Sequence, residues 1–310
     1  MVKAEGGGAT TANLGRSASE PVRPIGTIWG WLALGVGIAA GAGWVPAAQK
    51  LSERISVTDP GPATGLFDLL VFVPLIAIAV VLGLLSRQPV LRAGTRPLLW
   101  TLSGLACGTV AILASTSFAW LSGGLRPALQ PVAPVPGLIV LGIGLTVLQA
   151  GAEEVLFRGW LQPSLIARIG VPGGVLAGSV VFAAFHAIST TSDPVSLTNL
   201  LLGGLWFGLL ALRSGGILAP LAAHFAYNVI EDCGLGLVPN GPKDWVGPLG
   251  ALHDLDLVGS PLWGGGPEGL NASLGLTAAL IAMILPLLAP PAPRRAPVVV
   301  RGPLPSHRLV

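Results

Sequence analysis

The chain has 310 residues, of which 52% are hydrophobic and only 10% charged, with a mean hydropathy of +0.76 and a formal net charge of +3. Soluble domains carry roughly 25% charged residues, so a water-soluble globular fold is excluded. No basic run interleaved with aromatics is present, which removes nucleic acid as a partner, and two cysteines, Cys107 and Cys233, are too few for a disulfide framework or a metal knuckle.

The polar, Gly/Ala/Ser-rich residues 1–26 lack the composition of a packed segment and are expected to be disordered. Apolar runs of about 20 residues then predict eight transmembrane helices: Thr27–Ala48, Leu66–Leu85, Leu98–Leu121, Gly137–Trp160, Pro172–Ile188, Ser196–Arg213, Gly216–Asp232 and Leu270–Leu288. The first three, within 27–136, read as scaffold. Their only apolar-stretch acid is Asp68, and Gly35, Gly37, Ala39, Ala40, Gly41 and Gly43 suit close helix approach in lipid. Residues 233–269 form a Pro/Gly-rich loop with a His253-Asp254-Leu255-Asp256 patch, read as solvated. Residues 289–310 are a flexible basic tail whose arginines suit anionic headgroups. With both termini cytoplasmic, 13 of the 17 Lys and Arg residues fall inside, as the positive-inside rule requires. The fold expected is all-α, multi-pass and integral to the membrane, and the Gly/Ala/Arg-rich, Lys-poor composition points to a bacterial cell membrane.

Within 137–232, three polar clusters interrupt apolar helices: Glu153-Glu154-x-x-x-Arg158, His186, and His224-x-x-x-Asn228. Ionisable residues in lipid are costly and are functional candidates by default. Glu154 and Arg158 stand at i, i+4, so they meet on one helix face and neutralise each other. Glu153 is rotated about 100° away and faces elsewhere. Gly170-Val-Pro-Gly-Gly174 is a turn, and Glu153 lies 17 residues before it while His186 lies 12 after it. Folding back there brings the two to similar depth, with Pro163 kinking or dividing the first helix. Phe182 shares the His186 face. His224 and Asn228 project from one face and offer hydrogen-bond donors without net charge, as an oxyanion site needs.

These residues resemble the CPBP family of CAAX prenyl proteases and bacteriocin-processing enzymes. Glu153-Glu154-Val-Leu-Phe-Arg158 is similar to its Glu-Glu-x-x-x-Arg motif, Phe182-Ala-Ala-Phe-His186 to its Phe-x-x-x-His motif, and His224-Phe-Ala-Tyr-Asn228 to its His-x-x-x-Asn/Asp motif. The resemblance covers roughly Leu138–Asp232. It implies an intramembrane endopeptidase: Glu153 with His186 activates water, His224 and Asn228 hold the oxyanion, and Glu154 with Arg158 orients Glu153. Two histidines and a carboxylate also compose a His₂Glu zinc set at Glu153, His186 and His224, whereas a glutamate acts as base without metal. The reading adopted is metal-independent, with zinc as the alternative. The substrate implied is a membrane-embedded or lipidated peptide or protein. Two other classes are weighed: a non-catalytic adaptor or immunity protein, which has no need of all four candidate groups, and a proton-coupled transporter, whose internal repeats are not found.

Overall fold

A computed structural model describes residues 27–55, 57, 60–129, 131, 133–189, 193–237 and 251–289. The expected disordered residues 1–26, the tail beyond Ala289 and the middle of the 233–269 loop lie outside them. Among these residues eight α-helices follow in chain order: α1 (Thr27–Ile55), α2 (Pro60–Leu85), α3 (Pro97–Leu121), α4 (Pro136–Glu154), α5 (Gln162–Ser189), α6 (Pro194–Ser214), α7 (Leu218–Val229) and α8 (Leu274–Leu288). A π-helical segment, Val155–Leu161, joins α4 to α5, and a second, Ile230–Gly234, follows α7.

Five apolar stretches are long enough to cross a bilayer, one of which is Pro136–Ile188, 53 residues taken as one. That stretch is two helices back to back. Ile169 (φ −123°) and Gly170 (φ 75°, ψ 171°) leave helical geometry inside α5, at the expected turn, and glycine tolerates the left-handed φ that a Cβ would resist. Pro163 does not end its helix. It sits in the first turn of α5, and the irregularity appears before it, where its ring and missing N–H disturb the preceding turn and the chain widens into the π segment.

The expected seventh span, Gly216–Asp232, lies two residues later than read and is divided, with α7 holding 12 residues and its π extension 5 more. The eighth starts later, because Gly269–Ala272 is a 3₁₀ turn and Ser273 caps an α8 of 15 residues. Both fall below the roughly 20 residues that a straight crossing takes. The 233–269 region is also more structured than a loop. Its β2 strand (Leu255–Leu257) pairs antiparallel with β1 (Leu125–Pro127), and Arg126 bonds Asp256 at 3.4 Å, so part of the His253–Asp256 patch is a paired edge.

Helix ends gather at two poles. At one end, Thr95 N–H donates to Ser214 O (2.8 Å), Ile217 N–H to Arg92 O (2.8 Å), Arg168 Nη2 to Gly30 O (3.1 Å) and Arg213 Nε to Leu287 O (2.9 Å). At the other lie the β1–β2 ladder and the Asn199 amide, which donates to Asn271 O (2.8 Å) and Ser273 O (3.0 Å). Outward faces carry exposed Leu32, Val36, Leu84, Leu102, Val110 and Leu285, apolar surface on the scale that marks contact with lipid.

Two buried clusters make the core. One joins α1, α2, the first π segment and α5 around Trp160, Phe157 and Phe182; the other joins α3, α6, α7 and α8 around Trp206, Phe207 and Tyr227. The closest approach in the second is α3 on α7. A Cβ on Gly104 would stand 2.3 Å from Ala219 O, and one on Gly108 2.2 Å from Ala223 O. This Gly-x-x-x-Gly pair lets two backbones touch, as small residues do in membranes. The glycines expected to do this in α1 divide. Gly37 meets Trp160 and Gly41 meets Phe185, while Gly35 and Gly43 face open space.

Candidate active site

The seam between the two clusters is where the polar groups collect. Phe182 of one cluster stands edge-on to Phe207 of the other, with ring centroids 6.5 Å apart. Between these rings lies Arg158, 3% exposed, its guanidinium carbon 4.6 Å from the Phe182 centroid and 5.3 Å from that of Phe207. Arg158 Nη1 donates to Glu154 Oε1 at 2.9 Å, and Nη2 donates to Gly204 O at 3.0 Å. The i, i+4 brace read from the sequence is present and fully buried. Aromatic faces and a backbone carbonyl supply what water would otherwise give a buried cation.

Glu154 has a second partner that the spacing did not reveal. His224 Nδ1 donates to the same Oε1 at 3.0 Å, so one carboxylate oxygen links α4 to α7 as well as to its own helix. His224 also stacks on Phe207, with centroids 4.8 Å apart at 19°. Beyond the expected pairing with Arg158 and orientation of Glu153, Glu154 holds a histidine.

Glu153, rotated away from Glu154 as expected, is 7% exposed. Its Oε2 has no hydrogen-bond partner and faces His186 Nε2 at 3.9 Å and His224 Nε2 at 4.0 Å. His186 Nδ1 lies 2.9 Å from Phe182 O. A carbonyl only accepts, so that nitrogen carries the hydrogen and Nε2 is the nitrogen turned toward Glu153. The same reasoning applies to His224, whose Nδ1–H is committed to Glu154. Two imidazoles of fixed orientation thus converge on one unsatisfied carboxylate oxygen, at separations that leave space between the polar atoms.

Asn228 lies one turn beyond His224 on α7, half-buried, with no side-chain hydrogen bond among the described residues. Beyond it the sequence reading missed Glu231, which is 3% exposed with an unpartnered Oε1. Its separation of seven from His224, two helical turns along the same side, was the available signal. Gln162 was missed too; it is 5% exposed and donates to Gly208 O at 3.0 Å, tying α5 to α6 below the site.

For zinc, the donor types are suitable, since two neutral imidazoles would offer Nε2 beside a carboxylate, and both rings are oriented by second partners. The spacing is wide. Tetrahedral ligands bonded at ~2.0–2.1 Å stand about 3.3 Å apart, and among the described residues no three His, Cys, Asp or Glu side chains are grouped closely enough to hold a metal.

Residues 135–230, the stretch that carries all of these groups except Glu231, match the family described as Rce1-like, type II CAAX prenyl endopeptidase. The match covers about a third of the chain, and that segment is similar to the domain of a CAAX prenyl protease family. No curated protein and no solved structure matches it. The matched segment runs from the start of α4 to the end of α7, so the family domain and the polar seam coincide.

Proposed function

We propose that the chain is an intramembrane endopeptidase that cleaves a membrane-embedded or lipidated peptide by glutamate-activated water. The observation that carries this reading is Glu153 Oε2, buried and unpartnered, facing the Nε2 atoms of both His186 and His224. An unpaired buried carboxylate is costly, and a water held among these three atoms would satisfy it.

In this mechanism Glu153 takes one proton from the water, whose remaining O–H donates a hydrogen bond to His186 Nε2, and the hydroxide oxygen bonds to the peptide carbonyl carbon. Charge develops on the carbonyl oxygen. His224, protonated on both nitrogens with its Nδ1–H on Glu154, donates from Nε2 to that oxygen, and the Asn228 amide donates from one turn along α7. Collapse breaks the C–N bond as Glu153 returns its proton to the departing nitrogen. Arg158 touches no reacting atom; it holds Glu154, which holds His224.

A metal-independent reaction is proposed, with the approximately 4 Å separations as its support. The orientation proposed puts the arginine-rich end and both termini in the cytoplasm, on the Lys and Arg distribution. The decisive experiment is cleavage of membrane substrates in cells carrying Glu153→Ala, read by quantitative membrane proteomics. One or more proteins should stay uncleaved while the variant inserts and accumulates normally. An unchanged proteome with a well-inserted variant would favour the adaptor reading.

A further inference from the structure

The arginine-rich end of the molecule contains a cavity that the proposed reaction does not use. It measures about 290 Å³ and lies between the α2–α3 connection, the start of α5 and the end of α6. Its polar lining is Gln88, Arg92, Arg158 and Gln162; its apolar lining includes Ile166 and Leu212. That size sits at the lower end of small-ligand pockets, roughly 300–1,000 Å³, enough for a headgroup and not for a whole lipid.

Arg92 is held over this cavity by its backbone. Its carbonyl accepts from Ile217 N–H at 2.8 Å, and a Cβ on Gly216 would stand 2.4 Å from that same oxygen. The side chain is exposed and makes no ion pair among the described residues. The backbone that carries this cation is thus anchored beside the cavity, and the cation has no counterion among the described residues. Deeper in, Gln88 Nε2 donates to Ser164 Oγ at 3.1 Å, but Gln88 Oε1 is buried and accepts nothing. The site therefore asks for an anion at its mouth and a hydroxyl or N–H donor further in.

Three observations favour a lipid. The segments at this end, 86–96, 167–171 and 213–217, hold Arg87, Arg92, Arg96, Arg168 and Arg213 and no Asp or Glu. Leu212 is 39% exposed on the apolar side of the lining, which opens the cavity toward the bilayer. Basic pockets between helices on one leaflet are a recurring headgroup site.

We propose that this cavity binds the headgroup of an anionic phospholipid of the phosphoglycerol type. The phosphate pairs with Arg92, a headgroup hydroxyl donates to Gln88 Oε1, and the first methylenes run along Leu212. Arg158 is part of the lining and also pairs with Glu154, so the bound anion and the brace of the site share one guanidinium.

The test is lipid binding to protein purified in neutral detergent, by native mass spectrometry, with no dependence on proteolysis. Short-chain phosphatidylglycerol should bind about fivefold better than phosphatidylcholine. The preference should survive Arg87→Gln, a change outside the cavity, and vanish in Arg92→Gln. Retention of the preference in Arg92→Gln, or equal loss in Arg87→Gln, would overturn the site in favour of a diffuse field. Equal binding of soluble glycerol phosphate would overturn the lipid as its source. Equal binding of phosphatidic acid, which lacks headgroup hydroxyls, would overturn the Gln88 contact.

Discussion

Glu154 and His224, 70 residues apart, are joined by a 3.0 Å hydrogen bond that ends on the same carboxylate oxygen Arg158 uses. Glu154 thereby connects the scaffold mechanically to the candidate oxyanion donor. Removing it has two separable effects.

The first is on stability. Glu154→Gln leaves Arg158 buried without its countercharge, a change of roughly 3–5 kcal/mol, and should lower the midpoint of unfolding in detergent clearly. Glu154→Gln with Arg158→Met removes both charges and should recover most of that loss. Cleavage should stay absent in the stabilised pair, because His224 has lost its orienting carboxylate. Activity in the double variant would assign Glu154 a purely structural part.

Glu153→Gln keeps shape and burial but removes the base. Cleavage should fall by about 10²–10⁴-fold with little change in thermal stability, since Glu153 Oε2 has no hydrogen-bond partner to lose. A comparable loss of stability would instead make Glu153 a structural residue.

Gly108→Ala tests the α3–α7 contact. The added methyl would fall 2.2 Å from Ala223 O, next to His224 in the chain. Overpacking of this kind costs about 1–3 kcal/mol, and α7 must move to accept it. Activity should drop more than Gly35→Ala produces, because Gly35 faces open space. Purified yields and single-turnover rates of the two variants provide the comparison.

The metal question has its own assay. Activity should persist after dialysis against a strong chelator, and elemental analysis should find less than stoichiometric zinc. Loss of activity that zinc restores would move Glu153, His186 and His224 into a ligand set and retire the metal-free mechanism.

Local spacing explains most of what could be read from the residues in advance. Glu154 and Arg158 meet because i, i+4 residues share a helix face. Glu153 and His186 approach because their distances from the Gly170 turn nearly match. The Glu154–His224 bond has no such signature, because it depends on how α7 packs across α4. The Gly104-x-x-x-Gly108 pair that brings α3 onto α7 was in plain view, but such a pair does not name its partner helix. The β1–β2 ladder escaped for a different reason: strands of three residues, one with a proline, have too few positions to show alternation. Hydropathy found the long helices, missed the division of the seventh span and overestimated α8, because an apolar run does not reveal where a π or 3₁₀ turn interrupts it.

The π segment at Val155–Leu161 acts as a phase adjustment between two halves of one rod. A widened turn accommodates an extra residue, so the helix leaving it is rotated relative to the helix entering it. Glu153 and Glu154 lie just before the adjustment, Gln162 and Arg168 just after. Shortening the segment by one residue would swing the two carboxylates by about 100° against everything downstream, turning Glu154 off His224 and Glu153 away from both imidazoles. The chain's reactive geometry is therefore sensitive to length at this point before it is sensitive to chemistry.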